Sequence, residues 1–573
     1  MSEGSYFTLT TPYSENFDKT RPWDVYPRPQ LKRESYINLN GEWDFTVSES
    51  ADAPYEFSEK ITVPYPPESA LSGIGRRIKK NQFLFYRRYF TIPEGFLRDR
   101  LIIHFGAVDC ICDLYINGKG VCHNEGGYIP FSADITDFLC EGENEILLKV
   151  KDGTDKRFPY GKQKEKRGGM WYTPVSGIWQ TVWLESLPEK PIRGLKIHQS
   201  KDRAVIEVDT DATEATLILS DGTEIKFDGG TATVSPENPI LWTPENPHLY
   251  EFEVRTENDS VTSYFALREV GVGSFGSHKR LTLNGQPYLF NGLLDQGYFP
   301  DGIFLPASPD GYEKDILMTK ALGFNTLRKH IKVEPMIFYY LCDKLGMVVF
   351  QDMVNCGSYS FLFDTAFPTV GINYGFSNIR NRDRKARENF RSNMLKTAEL
   401  LYNCPSVCLY TVFNEGWGQF NPDEEYRRLK EFDRSRIIDT TSGWFKGKMS
   451  DVDSRHIYFR APEIKKPDEK PFFLSEFGGF SLRVEGHVFS RQNYGYSTLT
   501  DSEHFLRELK KLYSEQLTPL IKMGLSALIY TQVSDVEDET NGFMTYDRRV
   551  CKIEPGDMKK INEELYGEFN NCI

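Results

Sequence analysis

Glu415 and Glu476 are the two side chains of this 573-residue chain whose type and setting point most directly to chemistry. Each closes a short apolar run, Ser406-Val-Cys-Leu-Tyr-Thr-Val-Phe-Asn414-Glu415 and Pro471-Phe-Phe-Leu-Ser-Glu476, with glycine shortly beyond it at Gly416 and Gly478. A brief apolar run bounded by helix and turn signals reads as a strand buried in a parallel sheet. In an α/β barrel the C-terminal strand ends line the active site, so acids placed there are candidates for catalysis. Two carboxylates flanking one bond are the machinery of glycoside hydrolysis. In its retaining form one attacks the anomeric carbon while the other protonates the departing oxygen, with the two about 5–5.5 Å apart. One must stay protonated near neutral pH and the other ionised, a split that burial, charge and hydrogen bonds arrange.

The elements that would hold such a pair are legible from about residue 276 onward. Tyr312, Ile316, Leu317 and Ala321 form a helical face that stops at Gly323, and Phe338, Leu341 and Leu345 form another that stops at Gly346. A third, Phe390, Met394, Ala398 and Leu401, leads into the Glu415 run. Helix, glycine stop and strand in repetition is the pattern of a parallel sheet. Eight candidate strands follow: Tyr288–Gly292, Phe324–Arg328, Met347–Asp352, Val407–Asn414, Arg436–Thr440, His456–Phe459, Pro471–Glu476 and Ser526–Thr531. This predicts a (β/α)8 TIM barrel over residues 276–573. No glycine-rich phosphate loop follows any of these strands, which removes a dinucleotide-binding alternative.

Upstream the period is that of β-structure. Residues 1–187 carry short strands with hairpin signals such as Asn117-Gly118, as in a jelly-roll sandwich. Residues 188–275 continue in strands such as Ala204-Val-Ile-Glu-Val-Asp, with a turn at Asp221-Gly222, and fit one immunoglobulin-like sandwich. A net charge of −13 without an extended basic run argues against a nucleic-acid partner. The N-terminus lacks a basic segment followed by an apolar one, and no stretch suits a membrane span; a cytoplasmic chain with no membrane partner is expected. The ten cysteines show neither zinc spacing nor a disulfide framework, and Cys110, Cys112, Cys404 and Cys408 lie in strand-like runs.

The chain resembles glycoside hydrolase family 2, the β-galactosidase, β-glucuronidase and β-mannosidase family, over nearly its whole length. The resemblance rests on Asn40-Gly-Glu-Trp43-Asp-Phe, Phe85-Tyr-Arg-Arg-Tyr-Phe-Thr-Ile-Pro93, Gly177-Ile-Trp179-Gln-Thr-Val-Trp183 and Leu241-Trp-Thr-Pro-Glu-Asn-Pro247. It continues through Leu283-Asn-Gly-Gln-Pro-Tyr-Leu-Phe-Asn-Gly292, Gly323-Phe-Asn-Thr-Leu-Arg328-Lys-His330, Asn414-Glu415 and Glu476-Phe-Gly-Gly. It implies Glu415 as acid/base and Glu476 as nucleophile, with Asn414 holding a sugar 2-hydroxyl and Tyr458 hydrogen-bonded to the nucleophile. Arg328 would orient Glu476, and His330 would bind a sugar hydroxyl. Asp295, Asp352 and Trp444 would shape the terminal-sugar subsite, and Gln532 its floor.

Two departures bear on the substrate. Family β-glucuronidases carry an Asn-x-Lys pair before the stretch that here reads Gly542-Phe-Met-Thr545-Tyr-Asp547-Arg548; the preceding residues here are Glu539-Thr540-Asn541. With Asp535, Glu537, Asp538 and Glu539 the loop is acidic, which disfavours a uronate. It is either a solvated rim or a reader of hydroxyls or an amino sugar. Where large β-galactosidases place a magnesium-binding His, this chain has Trp417, so no metal or other cofactor is expected. The expectation is a retaining exo-β-glycosidase of β-galactosidase type acting on short oligosaccharides or glycosides, able to form homo-oligomers. β-Glucuronidase, β-mannosidase or arabinopyranosidase specificity, or a non-catalytic carbohydrate-binding protein, are the alternatives.

Overall fold

Eight parallel strands form the C-terminal part of the computed structural model, which describes residues 8–369, 372, 381–458 and 469–573. In chain order, barrel strands one to eight are Phe290–Asp295, Thr326–Lys329, Val348–Asp352, Val407–Asn414, Ile437–Ser442, Asp453–Ile457, Phe472–Gly478 and Leu525–Thr531. Strand one pairs with strands two and eight, and the ladder runs on through three, four and five on one side and seven and six on the other. Strands five and six lie side by side without a ladder, so the TIM barrel is nearly closed. Every expected strand overlaps an observed one. Strand six ends at Ile457, and Phe459, expected at its end, lies outside the described residues.

Strands four, five, seven and eight are buried at every position. Their continuous apolar runs have this cause: one face meets the barrel interior and the other the helix layer. Helices Asp310–Ala321, Met336–Leu345 and Arg384–Leu400 supply part of that layer. Gly323 (φ +87°) and Gly346 (φ +74°) stop the first two in the left-handed region, which a β-carbon disfavours. One expected face is corrected. Leu317 is 40% exposed, and the buried side of that helix is Tyr312, Asp315, Ile316 and Thr319. Asp315 is tolerated there because Arg548 donates to its carboxylate at 3.2 Å.

The first part of the chain is a pair of antiparallel sheets, one of six strands and one of four, closed over a core that includes Trp43, Phe45, Tyr86, Ile103 and Leu148. Asn117 (φ +51°) and Gly118 (φ +75°) form the two-residue turn between Ile111–Ile116 and Lys119–Glu125, the conformation a tight hairpin demands. The next part is an immunoglobulin-like pair of sheets, of three and four strands, around Ile197, Ile206, Leu217, Phe252 and Phe265. A hairpin of Val270–Phe275 with His278–Leu283 then leads into the barrel, so strand pairing crosses the boundary expected at residues 275 and 276. All ten cysteines are free, and among the described residues no helix is long and apolar enough to cross a membrane.

One contact between parts matters for the site. Trp171, Tyr172, Val175 and Trp179, from the first part of the chain, belong to the same core as Tyr298, Phe304, Trp417 and Val536 of the barrel. The Lys162–Trp179 region is thereby fixed on the rim where the barrel strands end.

Candidate active site

Strand four ends at Asn414, and the chain turns at once: Glu415 adopts φ +51° and Gly416 φ +74°. The Glu415 N–H donates to Ser442 O of strand five at 2.9 Å, which carries its side chain over the barrel mouth. A β-carbon at position 416 would lie 2.4 Å from the Phe445 ring, so glycine is required there on two counts. Glu476 lies within strand seven, in register with His456 of strand six. Both acids are buried, and His456 sits between them. Its Nδ1 is 2.8 Å from Glu415 Oε1 and its Nε2 is 3.5 Å from Glu476 Oε1. The donor atoms of Glu415, His456 and Glu476 all lie within 4.8 Å of one another.

Arg328, fully buried at the end of strand two, organises the base of this group. Its Nη1 donates to Glu476 Oε1 at 3.0 Å and to Ser475 O at 2.9 Å. Its Nε donates to Asp352 Oδ1 at 2.9 Å, and its Nη2 to Asn414 Oδ1 at 3.0 Å. The planar fork thus fixes residues from strands three, four and seven at once, which a lysine cannot do. The Tyr458 hydroxyl donates to Glu476 Oε2, and its ring stacks on Tyr496 at 3.9 Å. Burial alone would raise the Glu476 carboxyl. The neighbouring His456 and Arg328, together with the Tyr458 hydrogen bond, outweigh it and hold the group well below the usual carboxylate range.

Asn414 has its carbonyl turned to Arg328, which directs its NH2 away from that guanidinium. His330 has Nδ1 2.6 Å from Asp352 Oδ2, and burial brings it down to about 4. It is therefore neutral at pH 7, with Nδ1–H donating to Asp352. Trp444 packs edge-on against His456, with ring centroids 6.0 Å apart. Gln532 donates to Glu539 Oε2 and Asn541 Oδ1, both at 2.7 Å, on the strand-eight side. Asp295 is drawn elsewhere. Its carboxylate takes Lys329 Nζ at 2.6 Å and the Gly297 N–H at 2.8 Å, in a network with Glu334 that does not touch the acid pair.

Several residues at the site carry no warning in the sequence. His456 lies inside an expected strand, yet nothing local distinguishes it from a core histidine. It is held by Ser442 Oγ at 2.6 Å, from the neighbouring strand. Trp171, from the first part of the chain, stacks on Trp417 at 5.3 Å, and Tyr359 packs edge-on against both. The acidic stretch 535–539 is neither solvated nor unpaired. Asp535 takes Lys552 Nζ at 2.6 Å, and Glu537 takes Arg167 Nη1 at 3.1 Å and the Thr173 N–H at 2.9 Å. Asp538 accepts from Ser490 Oγ at 2.6 Å and lies 3.7 Å from Arg167.

Two groups of described residues, Asp109-Cys110-Asp152 and Glu415-His456-Glu476, are compact enough to hold a cation. In the second, Arg328 and Tyr458 already occupy Glu476 with hydrogen-bond donors, an arrangement suited to a free ionised carboxylate.

Fold and site define a multidomain TIM-barrel protein, preceded by two β-sandwiches, with a buried acid pair at the barrel mouth. The family models "glycosyl hydrolases family 2, sugar binding domain", "glycosyl hydrolases family 2" and "glycosyl hydrolases family 2, TIM barrel domain" match residues 62–188, 193–268 and 277–486. The chain belongs to glycosyl hydrolase family 2. It is 24% identical over 503 residues to a β-galactosidase of Thermoanaerobacter pseudethanolicus, covering 80% of this chain and 62% of that one. It is 22% identical over 519 residues to a putative β-glucuronidase of Formosa agariphila, covering 80% and 58%. The chain thus spans about three-fifths of the length of these relatives. Similar solved structures include a β-D-glucuronidase from Dictyoglomus thermophilum (TM-score 0.72, 20% identity, 94% of this chain and 98% of that one). Another is a β-galacturonidase from Eisenbergiella tayi bound to galacturonate (TM-score 0.68, 17% identity, 94% and 99%).

Proposed function

We propose that the chain is a retaining exo-β-glycosidase in which Glu476 is the nucleophile and Glu415 the acid and base. The observation that carries this reading is the approach of the two carboxylates and His456 to within 4.8 Å of one another. That is near the spacing of a double displacement, about 5–5.5 Å, and well short of the roughly 6.5–9.5 Å that admits a water between the acids. Glu476, kept ionised by Arg328 and Tyr458, attacks the anomeric carbon as the bond to the leaving oxygen breaks. Glu415 gives that oxygen its proton. In the second half Glu415 takes a proton from water, whose oxygen displaces Glu476 and regenerates the free carboxylate. In this reading the Asn414 NH2 donates to the sugar 2-hydroxyl, and His330, held by Asp352 at 2.6 Å, meets a further hydroxyl of the same sugar.

A β-galactoside is the first reading of the sugar, as in the β-galactosidase relatives. A β-glucuronide is the second, and one observation favours it. Arg167 and Lys552 engage Glu537, Asp538 and Asp535, so the loop is less hostile to a carboxylate than its composition implies. A panel of nitrophenyl β-glycosides (galactoside, glucuronide, mannoside, arabinopyranoside) decides between them. Incubation with the activated 2-fluoro analogue of the cleaved sugar, followed by peptide mass analysis, should place an adduct on Glu476. Intact mass unchanged with every sugar, and no turnover on the panel, would instead identify a non-catalytic carbohydrate-binding protein.

A further inference from the structure

We propose that a cationic cleft beside Trp171 and Tyr359 is the leaving-group side of the site and takes an anionic saccharide, one bearing a carboxylate or a sulfate. The cleft measures about 290 Å3 and is walled by the Lys156–Trp171 segment of the first part of the chain and by Tyr359 of the barrel. Its position follows from the chemistry of an acid catalyst, which must touch the oxygen joining sugar to leaving group; this part of the inference rests on Glu415 having that role. Trp417 stands two residues beyond Glu415 and stacks on Trp171, whose partner in the wall is Tyr359. Burial first, and the charge of Glu415 as a lesser cause, raise the Tyr359 hydroxyl, so the wall lies within electrostatic reach of the acid.

The charge of the cleft is opposite to that of the molecule. On a chain of net charge −13, its lining carries four lysines, Lys80, Lys156, Lys164 and Lys166, against Glu165. Lys80 spends its charge on Glu165 at 3.0 Å. Among the described residues Lys156, Lys164 and Lys166 have no carboxylate within ion-pair distance, and Lys164 Nζ sits 5.3 Å from the Trp171 ring centroid. Lys162, of the same segment but not itself lining the cleft, is only 9% exposed, against the Tyr172 and Trp417 rings at 5.5 and 5.9 Å. It too lacks a carboxylate within ion-pair distance; Glu539, farther off, is the acid on which its charge acts. Withdrawing an ammonium from water without a close counter-ion is unfavourable. An anion in the cleft would be attracted by Lys156, Lys164 and Lys166, and at longer range by Lys162, which lies against the Trp417 ring that stacks on Trp171. Neutral sugars stack on aromatic rings without needing any of these cations.

Binding is read without turnover, so failure of hydrolysis would defeat the two-carboxylate mechanism and leave this result legible. Trigalacturonate, a κ-carrageenan tetrasaccharide (sulfated, with no carboxylate) and neutral cellotriose are titrated calorimetrically into the full chain and into Lys164→Glu/Lys166→Glu and Lys162→Met variants. Tighter binding of the trigalacturonate identifies a carboxylate ligand, and tighter binding of the sulfated tetrasaccharide a sulfate ligand. In either case affinity should fall as salt rises and drop about tenfold on charge reversal. Binding of the acidic saccharides no tighter than that of cellotriose, or affinity unchanged in both variants, overturns the proposal.

Discussion

Tyr458→Phe removes one hydroxyl and nothing else from the environment of Glu476. The ring is held by its stack on Tyr496 at 3.9 Å, which phenylalanine retains, so the geometry of the other partners should persist. What is lost is a hydrogen bond to an ionised carboxylate, a contact of about 1.5–3 kcal/mol. At 1.36 kcal/mol per unit, the Glu476 carboxyl should rise by about one to two pH units. The sign follows from the depressed value of this acid in the folded protein. As the proposed nucleophile it would attack only when ionised, so kcat/KM should fall as pH drops through its titration, and the variant should begin to fail at higher pH. A pH profile of kcat/KM on the sugar that the glycoside panel selects should show the acidic limb displaced upward by about one unit or more. The thermal midpoint at neutral pH should change little. An acidic limb that stays in place, with activity lost equally at all pH values, would refute the electrostatic role assigned to Tyr458.

Arg328→Met strands Asp352 and Glu476 in a buried site and should destabilise the barrel by about 3–5 kcal/mol, read by denaturant unfolding. Arg328→Lys, one cation without the fork, should recover part of that stability but little of the activity. Glu415→Ala should lose most activity on aryl glycosides with poor leaving groups, keep more on good ones, and be partly rescued by azide; equal losses on both would contradict its role as the acid. In the first sandwich, burial pushes the Glu68 carboxyl up to about 8, against the pull of the Ser176 hydroxyl, and Asp152 adds to the rise. The folded protein then favours the neutral acid, so stability should be lost as pH rises from about 4.5 towards 8. Melting of Glu68→Gln across that range should be flatter by an amount on the order of 1 kcal/mol; parallel curves would exclude the effect.

The barrel was legible because its strands are buried on both faces. Runs such as Val407–Phe413 and Phe472–Leu474 have no polar alternation to confuse, and Gly323 and Gly346 punctuate the helices. The same runs placed Glu415 and Glu476 at strand ends, and the structure brings both acids to His456. Leu317 was misread because an amphipathic period locates a face only to within a residue or so, and Asp315 is buried through Arg548, 233 positions away. Asp295 sits at a strand end like the others, but its side chain answers to Lys329 on the adjacent strand. His456 and Trp171 were beyond reach for a different reason. Their roles depend on which strand faces which, and on how parts of the chain distant in sequence pack together, and no local spacing encodes either.

The pairing of Arg167 and the Thr173 amide with Glu537 spans two parts of the chain that are far apart in sequence. It makes the mouth of the cavity a seam between modules rather than a property of one of them. Part of that mouth is thus inherited from a sandwich that carries neither acid. Exchanging residues 152–176 between related chains would therefore transplant what the pocket admits while leaving the acid pair untouched. A barrel separated from its sandwich would keep its acids and lose its threshold.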